Sequence, residues 1–100
     1  MRFEWDENKR KDNIRNRGLD FADAWKIFNA PMRTRLDDRE DYGEDRWIGI
    51  GILDARIVVT VFTEREEDNE EVIRIISLRK ALTYERTQYE QALRDRLGAG

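Results

Sequence analysis

The sequence predicts an α+β domain in which helices pack on one face of an antiparallel sheet, and three observations carry that prediction. Between residues 46 and 77, β-branched and apolar residues come in short blocks separated by polar turns, as in consecutive antiparallel strands. Before them, residues 7–28 carry cap residues, a glycine stop and an aromatic stripe at helical spacing. After them, Tyr89, Leu93 and Leu97 recur at four-residue steps behind Thr83. Strands gathered in the middle of the chain with helices at both ends predict helix on sheet, not alternating βαβ units.

Composition narrows the chemistry. At 100 residues the chain is long enough for one compact core and too short for two, so residues 1–100 are expected to form a single domain. No window approaches the roughly 20 apolar residues of a membrane span, and MRFEWDENKRK lacks the apolar centre of a secretory signal. A soluble cytoplasmic protein is therefore expected. Cysteine is absent, which excludes disulfides, thiolate metal sites and cysteine nucleophiles. Histidine is absent too, so acid–base chemistry falls to Glu, Asp, Lys, Tyr or Arg. The net charge of −3 argues against nonspecific nucleic-acid binding. That charge is segregated, however: residues 9–17 and 74–86 are cationic, whereas 37–45 and 64–71 are acidic.

Taken in order, residues 2–5 alternate, with Phe3 and Trp5 on one side of a short strand. Asp6 caps a polar helix over 7–16 that must be anchored at its ends and stops at Gly18. Asp20 caps a second helix with Phe21, Ala24, Trp25 and Phe28 on its buried face, ended by Pro31. Residues 32–36 form an edge strand with Arg33 and Arg35 on one side, and 37–45 a loop with Tyr42 and Gly43 at its tip. Residues 46–53 place Ile48, Ile50 and Ile52 on one face and Gly49 and Gly51 on the other, a face thin enough for a helix or ligand to come close. A tight turn at Asp54 leads to a central strand over 56–63. The acidic run 64–71 is expected to be a solvated hairpin loop. Residues 72–77 form the next strand, a cationic turn holds Arg79 and Lys80, and Thr83 caps the last helix.

Several blocks resemble the BrnT family of bacterial toxins. They are FEWDENK at 3–9, the segment 13–18 leading into LDFADAWKIF, YGEDRWIGIG at 42–51, VVTVFTER at 58–65, and IRIISLRKA followed by Glu85, Arg86 and Tyr89. They occur in the family's order and span nearly the whole chain. The resemblance implies a RelE-like ribonuclease fold and metal-independent RNA cleavage that blocks translation. It also implies a BrnA-like antitoxin, a ribbon-helix-helix DNA-binding protein that neutralises the toxin in a heterotetramer and brings it to operator DNA. Two departures stand out: Asn16, Arg17 and Gly18 replace the family's Lys-His-Gly, and the turn at 64–71 is longer and more acidic than the family's.

RNA cleavage through the 2′-hydroxyl needs a base, an acid for the leaving 5′-oxygen, and cations around a phosphate whose negative charge grows. Without histidine or a metal, arginine and lysine carry much of that work. The expected catalytic cluster is Arg46, Arg65, Arg74, Arg79 and Lys80, with Glu85, Glu64 or Lys80 as the base. Arg46 and Arg65 sit at strand ends that an antiparallel hairpin brings to one rim beside Arg74. Arg74 is also placed to cover the sheet or pair with an acid on the next strand. Lys9, Asn13, Arg17 and Tyr89 are the expected RNA contacts, the alternatives being a solvated helix face for the first helix and core packing for Tyr89. No cofactor is expected.

Overall fold

Phe62 sits at the centre of the sheet, and its cross-strand neighbours are large apolar residues: Trp47 on one side, Ile75 on the other, and Trp5 beyond Ile75. In the computed structural model, which describes residues 1–98, these belong to strands β1 (Arg2–Trp5), β3 (Trp47–Leu53), β4 (Arg56–Glu67) and β5 (Glu70–Lys80). The edge strand β2 (Arg33–Leu36) completes a five-stranded sheet of order β1-β5-β4-β3-β2. Helices α1 (Glu7–Arg17) and α2 (Trp25–Phe28) precede β2, and α3 (Thr83–Gly98) follows β5.

The α+β class holds, with two corrections. The sheet is mixed, because β1 runs parallel to β5. These strands are joined through residues 6–69, and a connection that long leaves either direction open, whereas a short hairpin would enforce antiparallel pairing. The helices also cover both faces rather than one. A Cβ at Gly51 would meet Ile27 Cγ2 of α2 at 2.8 Å, so α2 lies over the glycine face of β3. Residues Tyr84, Glu85, Gln88 and Tyr89 of α3 stand instead over Ile48, Ile50 and Val59 on the opposite face. Strand alternation left one face open to α2 and the other to α3.

Local chemistry explains the helices. Asp6 accepts the Lys9 N–H at 3.1 Å, and Gly18, at φ 69°, returns its N–H to Ile14. Arg10 grips Asp20 with two bonds of 2.7 and 3.0 Å, tying the polar α1 to the segment after it. The predicted second helix is broken: Phe21–Asp23 is a 3-10 turn and α2 a single turn of helix. That change of pitch buries Phe21, Ala24 and Ile27 but leaves Trp25 47% exposed. Phe28 packs edge-on to Phe3 and Phe62, as the apolar alternation of β1 requires. At the start of α3, Leu82 rather than Thr83 is the cap residue. Its carbonyl accepts the Arg86 N–H, and its own N–H is taken by the Glu85 carboxylate at 2.8 Å.

The acidic segment is not a loop. β4 and β5 continue through it to a two-residue turn at Asp68 and Asn69, both with positive φ. Glu67 faces Glu70 across the strands, and Arg2 and Arg65 offset the repulsion by pairing with them. Asp54 and Ala55 make the same kind of turn between β3 and β4. Within β5 the partners step from Ser77 to Ile75 while β4 steps from Val61 to Phe62, so Ile76 is an extra residue in a β-bulge. Thr60 Oγ1 donates to the Ser77 carbonyl at that point.

Two stability effects are expected. Gly51→Ala forces Cβ against buried Ile27 and should cost about 1–3 kcal/mol. Ala55→Gly relieves a φ of 65° that alanine tolerates poorly and should gain about 1 kcal/mol. Urea midpoints of the two variants measure both.

Candidate active site

One step along from the apolar row through Phe62, the side chains turn to the α3 face and become polar. Thr63 pairs with Arg74 and Arg74 with Glu4, while Arg46 immediately precedes Trp47, whose partner is Phe62. Arg65, two residues on from Thr63, projects from the same face. The expected meeting of Arg65 and Arg74 occurs, mediated by a residue that the sequence did not single out. Glu4 takes both guanidiniums, Arg65 through two bonds and Arg74 at 3.5 Å. Arg65 holds the Glu4 carboxyl below its ordinary range by hydrogen bonding, with Arg74 assisting. Arg46 lies over the Tyr42 ring at 4.0 Å, and its buried Nε has no hydrogen-bond partner among the described residues.

A second cluster lies further along this face. Arg79 donates to both oxygens of Glu85 at 2.7 and 3.0 Å, and this pairing holds the Glu85 carboxyl below its ordinary range although burial opposes it. Glu85 therefore joins the end of β5 to the start of α3. Arg33 and Arg35 of β2 line a hollow of about 200 Å³ beside Glu85, floored by Ile48, Ile50 and Val59. Just past the end of β2, Asp37 is buried and takes two bonds of 2.7 Å from Arg39, which pull its pKa to about 2.

Other expected site residues do not converge here. Arg79 and Lys80 are the last residues of β5 rather than a turn, so strand alternation sends them to opposite faces. Lys80 is exposed on the side away from α3. Asn13 is buried and donates to the Leu19 carbonyl at 2.8 Å, which fastens the end of α1 instead of facing solvent. Tyr89 is 2% exposed; its hydroxyl donates to the Pro31 carbonyl at 2.6 Å, and burial raises its pKa. It is a packing residue. Lys9 and Arg17 are exposed on α1. Glu64 pairs with Ile73 beyond the polar row and is exposed.

The sequence did not assign Glu4, Arg33, Arg35 or Asp37 to this region. Alternation with Phe3 and Trp5 already put Glu4 on the outer face, but its meeting with Arg74 depends on the parallel register of β1. Among the described residues, no three acidic side chains come together in a way that would hold a metal ion, and no helix is long and apolar enough to cross a membrane.

Guanidiniums gathered on one sheet face around a hydroxyl and a carboxylate suit a phosphate ester, as charged forks that donate paired bonds. The comparisons agree with that class. The chain belongs to the family described as the ribonuclease toxin, BrnT, of type II toxin-antitoxin systems, whose profile matches residues 5–85. A search of curated proteins returns no match. An antitoxin partner follows from membership of such a family.

Glu85→Gln weakens both the Arg79 pair and the cap on Leu82, and should lower stability at neutral pH by about 1–2 kcal/mol. Because the folded-state pKa of Glu85 is depressed, the wild-type advantage is full above the ordinary value of 4.5 and fades as pH falls below it. Urea midpoints of the two proteins should therefore converge in acid.

Proposed function

We propose that this chain is the toxin of a type II system, one RelE-like domain acting in the cytoplasm as a metal-independent endoribonuclease. It cleaves RNA and halts translation until its antitoxin binds. Attack of a 2′-oxygen on the adjacent phosphorus leaves a cyclic phosphate and expels the 5′-oxygen. Charge on the phosphoryl oxygens grows through that step, and Arg46, Arg74 and Arg65 are the groups to hold it. The observation that carries this reading is the row in which Thr63 pairs with Arg74, together with the Arg46 Nε–H, buried just ahead of β3 without an acceptor among the described residues. A phosphate oxygen supplies one. Glu4 is the carboxylate in that row, ionised at neutral pH and placed to take the 2′-hydroxyl proton once phosphate draws Arg65 and Arg74 away from it. Arg79 and Glu85 border the site from the α3 side. The partner is a BrnA-like antitoxin with a ribbon-helix-helix fold, and contact with operator DNA runs through it.

One observation favours a second reading, a toxin fold that binds its antitoxin but no longer cuts. Arg65, Arg74 and Arg79 are already matched internally by Glu4, Glu67 and Glu85. Incubating purified protein with RNA in chelator-containing buffer separates the two. Under the first reading RNA is fragmented, Arg46→Ala and Arg74→Ala slow cleavage by about 10²–10³-fold, and Lys80→Ala stays close to wild type. Intact RNA, or equal rates for wild type and both arginine variants, supports the second.

A further inference from the structure

The free edge of the sheet beside α3 has the features of a peptide-binding strand. Asp37 N–H donates to the Arg46 carbonyl at 2.7 Å, which fixes 37/46, 35/48 and 33/50 as the hydrogen-bonded pairs of the β2–β3 ladder. Thr34 and Leu36 occupy the alternate positions, so their N–H and C=O groups point outward from the sheet. All four residues of β2 are exposed, and nothing among the described residues covers this edge. Natural sheets seldom leave such an edge bare, because it is a template for another strand.

The groove along this edge has a defined chemistry. Two adjoining hollows of about 200 and 170 Å³ share Arg33 and Tyr89 and run between β2 and α3. Their lining is largely apolar, from Ile48, Ile50 and Val59 at one end to Pro31, Ala92 and Leu93 at the other. Their rim carries Arg33, Arg35 and Arg96, none of which forms a salt bridge among the described residues. The one carboxylate in the groove, Glu85, is already bound to Arg79. In a chain with more acidic than basic residues, this is a concentration of uncompensated positive charge.

We propose that β2 and this groove receive the antitoxin. An extended acidic segment of the antitoxin adds to the sheet as a sixth strand, bonding to the outward groups of Thr34 and Leu36. Every second side chain is a carboxylate on the α3 side, where it meets Arg33, Arg35 and Arg96, while the alternate, apolar side chains lie on the opposite face beside exposed Leu36. RNA fits less well, because the outward carbonyls of the edge repel phosphate and the apolar floor offers it no donors. The inference rests on family membership, not on catalysis, and stands whether or not the chain cuts RNA.

The test uses the full chain, isotope-labelled, with three probes: a short peptide alternating valine and glutamate, its valine–lysine counterpart, and a 2′-O-methyl RNA oligomer that cannot be cleaved. The acidic peptide should bind and slow hydrogen exchange at the Thr34 and Leu36 amides, while the other two probes leave those amides unprotected. Arg33→Glu with Arg35→Glu should weaken peptide binding roughly tenfold or more. Thr34→Pro removes an outward donor without touching the bonds to β3 and should do the same, with its melting curve reporting on the fold. The proposal is overturned if the acidic peptide fails to protect these amides, or if the basic peptide or the RNA protects them equally.

Discussion

One inserted residue, Ile76, sets which way the working side chains face. Arg74 and Arg79 are separated by an odd number of positions, so in a regular strand they would project from opposite faces of the sheet. The bulge between Ile75 and Ser77 resets the alternation. Ile73 and Ile75 before it and Leu78 after it all reach the same core, and the two arginines share the α3 face. The bulge leaves a carbonyl at Ser77 that the ladder does not serve in the usual way, and Thr60, fully buried, supplies the donor. Without that hydroxyl the irregularity would leave a buried acceptor unpaired, at a cost of about 1–3 kcal/mol.

The two faces of the sheet are built on different terms. On the α2 side, glycines in β3 let Ile27 approach the backbone, and the contact is apolar throughout. On the α3 side, the helix is fastened at one end by an ion pair, Arg79 with Glu85, and at its middle by the Tyr89 hydroxyl on Pro31. A face held by a few polar contacts leaves grooves beside the helix, and a face held by packing does not. That difference accounts for the hollows beside α3, where Arg33, Arg35 and Arg96 stand without salt-bridge partners among the described residues.

Much of the architecture was legible because alternation and capping act locally. Asp6, Gly18, the glycine face of β3 and the tight turn at Asp54 each follow from a few adjacent residues. What was hidden depended on distant parts of the chain. The parallel pairing of β1 with β5 has no local signature, so Glu4 was missed even though its outward orientation was readable. The bulge cannot be deduced from IRIISLRK, since Arg79 in a turn and Arg79 at a strand end fit the same string. The acidic segment was misread as a loop because its own composition disfavours a strand. Register with β5 and the cations Arg2 and Arg65 override that preference. Asn13 looks like surface chemistry in sequence and proves to be an internal fastener, a distinction that only burial reveals, whereas the helical face that Tyr89 shares with Leu93 already pointed to packing.

The parallel edge also has a bearing on how the molecule comes into being. β1 is synthesised well before its sole neighbour in the sheet, the strand made of residues 70–80. Contacts of such wide sequence separation form late, after the entropy of closing a long loop has been overcome. While the chain is still emerging from the ribosome, Phe3 and Trp5 have no strand to lie against, and Glu4 has no arginine at 74 to meet. The polar row on the sheet face therefore assembles only once β5 has been made, and a truncated product ending before β5 would lack it altogether.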